Sequence, residues 1–415
     1  MLFRGSLVVA LVALAASSAV AAPLLNVAAT ADAADAPVRN LIVERDYIGG
    51  EVQFNITYQS NRTAHLPKTL IMATGGTIAG SGSSNTDSTG YTAGVVGIAA
   101  LVQAVPEVLA VSNIDGMQVI NTGSESLSDA FALHISKLAN KALCAADAPY
   151  DAVVITHGTD TLEETAYFID ATLQCDKPVV VVGAMRPSTA VSADGPNNLI
   201  QAVTTAVTPS SVGRGTLVVM NDRIVEAIYV EKTHANSVDT FKADEQGSVG
   251  MLLSDKAFYY HAAAKPTFKK VYDVSKVAAL PRVDLFMGYQ GADLDLFNAS
   301  IAKGSKGIVI AGESFVTNVT FSLCTGSGSI SDIGIANVNA IVDKVPVVRS
   351  TKINNGFVVP GAYYPTVISS GVLNPVKTRR LLQILLALGK NSSEIRTEFE
   401  EPLKSYINFN ITSAY

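Results

Sequence analysis

DAVVITHGTDTLEETAYFID, residues Asp151–Asp170, decides how the rest of the chain is read. Ala152–Ile155 is an apolar, mostly β-branched run with the length of a buried strand. Apolar patterning then stops at His157, Gly158, Thr159 and Asp160, and a helix is predicted to begin at once. Thr161 and Glu164 have capping-box spacing, and Leu162, Ala166, Phe168 and Ile169 supply an apolar face. Small polar side chains at the carboxyl end of a buried parallel strand are where open α/β sheets hold ligands. Thr159 and Asp160 would serve equally as a plain helix cap, and on this stretch alone the two readings stand level.

The same unit recurs on both sides. Lys68–Ala73 is a short apolar run feeding Thr74-Gly75-Gly76-Thr77-Ile78-Ala79-Gly80. Adjacent glycines followed by a polar loop do not make the dinucleotide fingerprint, which needs G-x-G-x-x-G opening a helix, and no Walker lysine follows. What remains is a Thr on a turn whose glycines admit a ligand close to the backbone. Ser81–Gly90 has the composition of a mobile lid, or of a simple surface loop, and ends at Tyr91. Val95–Leu109 is predicted helical with a break near Pro106. Val119–Ile120 leads as a strand end into Asn121–Glu125, and Leu127–Leu143 is an amphipathic helix stopping at Cys144. Pro178–Val182 is a strand, Gly183–Pro187 its turn, Asn197–Thr208 a helix and Gly215–Met220 a further strand.

This alternation predicts an α/β fold with a larger N-terminal doubly wound parallel sheet over residues 67–255. Asp222–Lys242, which contains Lys232, Thr233 and His234, is polar and irregular. Residues 256–280 are expected to be a linker. Val283–Met287, Gly307–Ala311 and Val345–Arg349 are strands of a smaller C-terminal α/β domain over 281–415, closed by a helix at Val376–Leu388 whose Leu and Ile residues form a core-facing stripe. Residues 23–66 form an N-terminal extension, where Val52, Phe54, Ile56 and Tyr58 alternate with polar residues as in a half-buried edge strand.

Composition narrows the function. Hydrophobic residues at 48% with only 16% charged make a core-forming chain. A net charge of −6 without a basic run argues against nucleic acid. Arg4, the apolar Leu7–Ala16 and Ala19-Val20-Ala21 read as a signal peptide over residues 1–22, too short in its apolar part to span a membrane. Export, whether to the medium, a periplasm or a cell wall, is therefore expected. Sequons at Asn55, Asn61, Asn298, Asn318, Asn391 and Asn410 are the glycosylation candidates that fit it. Three cysteines allow one disulfide and a spare thiol, and neither they nor the five scattered histidines have metal-ligand spacing.

Thr77, Ser124, Thr159–Asp160 and the Gly183–Arg186 turn thus stand at four strand ends. The set offers hydroxyl nucleophiles, a carboxylate and backbone donors, but no evident His base and no G-x-S-x-G elbow. A Thr nucleophile here would hand its proton to a Tyr or Lys. ATGGTIAG (Ala73–Gly80) and ITHGTDTLEETAYF (Ile155–Phe168), with Asp176–Leu199, VVMND (Val218–Asp222) and LNPVKTRRLLQ (Leu373–Gln383), resemble the type II L-asparaginase family, secreted and of fungal type. The likeness spans residues 68 to about 400.

The resemblance implies that Thr77 attacks a side-chain amide carbonyl and that Tyr91 assists it. Thr159, Asp160 and Lys232 would form a second catalytic group. Ser124 would hold the substrate α-carboxylate, and Asp160 and Glu125 its α-ammonium. Backbone N–H groups near Gly76 and Thr159 would form the oxyanion site, and the Ala184 carbonyl would receive the leaving nitrogen. His157 is expected to be a packed residue. The family pairs cysteines that match Cys144 and Cys175, leaving Cys324 free. It needs no cofactor or metal, acts on a small molecule without membrane or nucleic acid, and forms homotetramers with sites between subunits. The implied reaction is L-asparagine hydrolysis; the alternatives are a broader glutaminase–asparaginase and a silent amino-acid-binding protein. The family's intersubunit acid has no counterpart in Val359–Pro365, and Gly291 falls near where some relatives place Asn. Tyr363 or Tyr364 is the expected replacement.

Overall fold

Every residue of the strand Ala152–Thr156 is buried, and the strand lies inside a nine-stranded sheet. The chain is described here as a computed structural model, covering residues 52–254, 256–312, 328–361 and 364–406. The sheet order is Ile56–Gln59, Asn113–Thr122, Lys68–Gly75, Ala152–Thr156, Val179–Val182, Thr216–Met220, Arg223–Glu226, Gly250–Leu253, Lys256–Tyr259. The second to sixth of these run parallel. Their connections carry the helices Asp129–Leu143, Leu162–Asp170 and Gly195–Val207, since a parallel pair needs a long crossover.

Burial on both faces explains the unbroken apolar runs. Leu70, Met72, Val153, Ile155, Val179 and Val181 face a core shared with Phe131, Ile135 and Ile169. Their neighbours Ile71, Ala73, Val154, Val180 and Val182 face the opposite one, with Leu199, Ala202 and Val203. The two-residue period is kept, but both faces are apolar, so sequence alternation disappears.

The sheet is mixed, not wholly parallel. Asn221 and Asp222 both adopt left-handed backbone (φ 51° and 63°), so the chain reverses after Met220 into the antiparallel strand Arg223–Glu226. Asn and Asp tolerate that conformation better than other non-glycine residues. The strand Gly250–Leu253 and its partner Lys256–Tyr259 extend the antiparallel edge. The expected linker at 256–280 therefore begins too early, because residues 256–259 belong to the sheet. At the opposite edge Ile56–Gln59 pairs antiparallel with Asn113–Thr122, with the alternating burial its pattern predicts. Predicted helix Val95–Leu109 divides into Ile98–Ala104 and Val108–Val111 around Pro106.

The second domain is a parallel sheet of Val283–Met287, Gly307–Gly312, Val347–Thr351 and Ile368–Ser369. Helix Pro375–Ala387 is N-capped by Asn374, whose Oδ1 accepts the Lys377 N–H. It does not close the chain, since Ser392–Tyr406 forms another helix. Leu381, Leu382, Ile384 and Leu385 pack with second-domain strands and also with Tyr167 and Phe168 of the first-domain helix Leu162–Asp170. Arg379 and Arg380 reach Asp129 across the same boundary, at 2.9 and 2.5 Å. One helix therefore seals the two domains together. No helix among the described residues is long and apolar enough to cross a membrane.

Candidate active site

Parallel pairing puts the carboxyl ends of Asn113–Thr122, Lys68–Gly75, Ala152–Thr156 and Val179–Val182 side by side on one edge. The segments leaving that edge carry Ser124, Thr77, Thr159–Asp160 and Ala184. A sheet whose order runs outward from one region leaves a crevice at such an edge.

Thr77 opens a single 3-10 turn, Thr77–Ala79, and is 6% exposed. Its Oγ1 lies 2.6 Å from the Tyr91 hydroxyl. Tyr91 belongs to a short ladder, Tyr91–Thr92 against Ser81–Gly82, and its ring lies against Gly80, where an added Cβ would fall 2.9 Å from the ring. The 81–90 loop is fastened in this structure. Gly82 N–H donates to Thr189 Oγ1 (2.9 Å), Ser188 N–H and Oγ donate to the Gly80 carbonyl (2.9 and 2.7 Å), and Val191 N–H donates to the Asn85 carbonyl (3.0 Å). Asp87 accepts from Thr89 and Gly90 N–H, which holds its carboxyl below the usual range.

The second group forms around Lys232, on a two-residue strand, Glu231–Lys232, paired with Phe241–Lys242. Its Nζ donates to Thr159 Oγ1 at 3.0 Å and to Asp160 Oδ1 at 2.6 Å. Thr159 is buried, whereas the Asp160 side chain is 60% exposed, so this ion pair opens toward solvent. Thr161 holds the helix N-cap position without making the cap bond; its hydroxyl donates instead to the Ser124 carbonyl at 2.9 Å. The capping-box expectation is corrected accordingly: site architecture takes the hydroxyl that the helix end would have used. Ser124 Oγ in turn accepts the Asp160 and Thr161 N–H groups, at 3.1 and 3.3 Å.

Two glycines let these loops touch. A Cβ on Gly76 would fall 2.3 Å from Gly158 Cα, and one on Gly158 would fall 2.8 Å from Ser124 Cβ. The Gly76 N–H donates to the Thr122 carbonyl (2.8 Å), so it is engaged within the scaffold and not offered to a ligand. Ala184 is fully buried, and the turn that carries it is held by Asp194, which accepts the Met185 and Arg186 N–H groups, and by Asn198, which donates to the Gly183 carbonyl. Glu125 is exposed. Sequence reasoning gave Thr161 only a capping role, and gave none to Asp194 or Asn198.

His157 is fully buried beside Phe131, its Nδ1 2.7 Å from the Gly158 carbonyl, and its Nε2 has no partner among the described residues. Burial pulls its pKa from 6.5 down to about 4, so it is neutral in the fold and unsuited to carrying charge at the site. The unfolded chain takes up this proton as pH falls through 6.5, whereas the folded one resists until about 4. Stability that is complete above pH 6.5 is therefore lost as pH falls toward 4, by about 3 kcal/mol from this residue. The denaturant-derived unfolding free energy of His157→Gln between pH 7 and 4.5 is expected to fall less steeply than that of the native chain, the similarly depressed His134 contributing in both.

Other expected residues lie elsewhere. Tyr364 turns into the second domain: its hydroxyl accepts the Ile330 N–H (3.1 Å) and its ring lies under the Arg349 guanidinium (4.6 Å), so it does not replace a substrate-facing acid. Tyr363 lies outside the described residues. Gly291 is exposed with φ 83°. Cys144 and Cys175 form a disulfide that ties the end of helix Asp129–Leu143 to the segment after Leu162–Asp170. Cys324, Asn318 and Asn410 lie outside the described residues, while Asn55, Asn61, Asn298 and Asn391 are exposed. Asn391 Oδ1 caps the last helix by accepting the Ser393 and Glu394 N–H groups.

Comparison with known proteins converges on one family. The family model "Asparaginase, N-terminal" matches residues 68–265, and "Glutaminase/Asparaginase C-terminal domain" matches residues 282–399. An L-asparaginase 2 of Bacillus subtilis is 45% identical over 81% of this chain and 87% of its own length. A probable L-asparaginase 1 of Schizosaccharomyces pombe is 42% identical over 83% and 92%. The crystal structure of a probable cytoplasmic L-asparaginase from Campylobacter jejuni superimposes with a TM-score of 0.73 at 38% identity, covering 80% of this chain and 99% of that one.

These relatives correct the narrower expectation. Strong likeness to bacterial proteins, one of them a probable cytoplasmic enzyme, overturns the reading of a secreted, fungal-type, type II enzyme, and the expectation of export falls with it. The signal-peptide reading itself falls on residues outside those described. With 45% identity to an L-asparaginase over 87% of that protein's length, and family models matching residues 68–265 and 282–399, the chain belongs to the asparaginase family.

Proposed function

We propose that this site hydrolyses L-asparagine to L-aspartate and ammonia, with Thr77 as the nucleophile. The observation that carries the reading is the pair of buried Thr hydroxyls at adjacent strand ends, each with a proton-exchanging partner within 3.0 Å: Tyr91 for Thr77 and Lys232 for Thr159. A threonine hydroxyl is a weak nucleophile until a neighbour takes its proton.

In the first half-reaction Thr77 Oγ1 bonds to the side-chain amide carbon while its proton passes to the Tyr91 oxygen, whose own proton moves on to the amide nitrogen. The carbonyl oxygen becomes an oxyanion, met by backbone N–H groups of the turns bearing Thr77 and Thr159, because that of Gly76 is already engaged. Collapse breaks the C–N bond, the nitrogen leaves as ammonia past the Ala184 carbonyl, and an acyl ester remains on Thr77. Water then attacks the ester as its proton passes, by way of the Thr159 hydroxyl held by Lys232 and Asp160, to Thr77 Oγ1; the C–O bond to Thr77 breaks and aspartate leaves. Ser124 and Asp160 bind the α-carboxylate and α-ammonium, assisted by Glu125. Glutamine places its amide one methylene further out, which discriminates by roughly 10–200-fold. The active form is a homotetramer, with a neighbouring subunit covering the exposed side of each site.

Ammonia release should be measured on size-exclusion fractions with L-asparagine and L-glutamine. Activity toward asparagine is expected in the fraction of four chains, with kcat/KM for glutamine lower by the factor above. Equal values would make this a glutaminase–asparaginase, and aspartate binding without turnover of either amide would make it a silent binding protein.

A further inference from the structure

Lys232 has little local support. Its strand is two residues long and, among the described residues, pairs only with another of two residues, and before it the chain from Ala227 to Val230 makes a turn. A flexible Lys side chain on so short a ladder has to be located from elsewhere if its ammonium is to sit between Thr159 and Asp160.

We propose that Asn374 and Lys377 of the second domain are positioning residues for Lys232, clamping the two segments that carry the Thr159–Asp160–Lys232 group. Asn374 Nδ2 donates to Glu163 Oε2 and to Glu231 Oε1, both at 3.0 Å. Glu163 lies three residues after Asp160, in the first turn of the following helix, and Glu231 directly precedes Lys232. The amide therefore brackets the ion pair from both chain directions. An amide NH₂ has two protons, and here each goes to one carboxylate while Oδ1 caps its own helix through the Lys377 N–H (3.0 Å).

Lys377 completes the clamp. Its side chain is 1% exposed, and its Nζ donates to the Ile228 carbonyl (3.1 Å) and to the Val230 carbonyl, with Glu163 Oε2 at 3.8 Å. Ile228 and Val230 are themselves buried, so their carbonyls need a partner from within the protein. Burial lowers the pKa of the Lys377 ammonium and raises that of the Glu231 carboxyl, and each offsets the other by its charge. Side chains alternate along a strand, so with Glu231 drawn toward the second domain Lys232 faces the site. The second domain thus sets the place of one of the site's cations.

This assignment rests on Lys232 acting with Thr159 as proposed above. Asn, Ser and Asp are comparable helix N-caps, so a merely capping role predicts that Asn374→Ser and Asn374→Asp match the native chain. The clamp predicts an order. Asn374→Ser loses the bridge and should lower kcat about tenfold with KM within about twofold; Asn374→Asp sets a third carboxylate against Glu163 and Glu231 and should lower kcat ~100-fold, the scale of a small misplacement. Melting midpoints taken alongside exclude loss of folded protein as the cause. In a Lys232→Met background Asn374→Ser should cost nothing further. Lys232→Met that retains full kcat would overturn the catalytic reading and the clamp with it. An impaired Lys232→Met with a flat Asn374 series, or with additive losses in the double variant, would overturn the clamp alone. Should Asn374→Asp not fold, Asn374→Ser and its double variant decide.

Discussion

Thr77→Ala is expected to lower kcat for asparagine by ~10⁴-fold or more while the protein still folds and binds aspartate. The two effects separate because they draw on different physics. In the fold, Thr77 supplies one hydroxyl hydrogen bond, to Tyr91, at a position where the turn makes no demand on a β-branched side chain. Losing that bond costs about 1 kcal/mol, or somewhat more because the Tyr91 hydroxyl loses its partner. In the reaction, the same oxygen is the atom that bonds to carbon, and ~10⁴-fold corresponds to more than 5 kcal/mol of barrier. Thr77→Ser should retain part of the rate, since it keeps the oxygen and gives up the methyl group that fixes its rotamer. Tyr91→Phe should fall between the two, because it removes the proton's destination and leaves the nucleophile. The check is kcat by ammonia release beside a melting curve. A Thr77→Ala protein with native kcat would move the nucleophile to Thr159, whose buried hydroxyl lies against Lys232 on the same edge.

The site was legible where its chemistry coincides with strand ends. Apolar runs such as Leu70–Met72 and Val153–Ile155 can be recognised because they are buried on both faces, and polar residues directly after them stand out against that background. Thr77, Ser124, Thr159 and Asp160 all fall in this class. Lys232 does not: its strand carries no apolar pattern, and only the likeness to a family pointed to it before the geometry placed its ammonium against Thr159. The reversal at Asn221–Asp222 was hidden for a related reason. Neither residue is Gly, so the turn carries no strong sequence mark, although both backbones are left-handed.

Thr161 and Asn374 show a further limit. Each occupies a helix N-cap position, and capping chemistry accounts for such a residue without reference to anything distant. In the fold the Thr161 hydroxyl goes to Ser124, 37 residues away, and the Asn374 amide reaches Glu163 across 211 residues. Local propensity and tertiary role use the same side chain, so pattern reasoning stops at the nearer explanation. The linker boundary failed differently: the strand Lys256–Tyr259 is half exposed at a sheet edge, where the pattern is weakest.

Gly76→Ala should remove activity and lower stability by about 3–5 kcal/mol, placing it among the most damaging single substitutions in the chain. Gly76 has φ 77° and ψ −171°, a backbone region open essentially to glycine alone, where another residue costs roughly 1–3 kcal/mol. A second term adds to it. The new Cβ would lie 2.3 Å from Gly158 Cα and 2.4 Å from Gly158 N, so relief requires moving backbone and no rotamer change will serve. Gly158 cannot retreat, because a Cβ there already meets Ser124, and the Gly76 N–H and carbonyl are held by Thr122 and Gly94. Separation of the two loops would carry Thr77 away from Thr159, which accounts for the loss of rate. Gly389→Ala is the comparison for a positive φ without crowding: its φ is 75°, at the end of a helix, and nothing lies within 4 Å of its added Cβ. Urea unfolding of both variants is therefore expected to show about 1–2 kcal/mol at Gly389 and a clearly larger loss at Gly76. Equal losses would mean that the contact between the two threonine loops adds nothing to the cost of a positive φ at this turn.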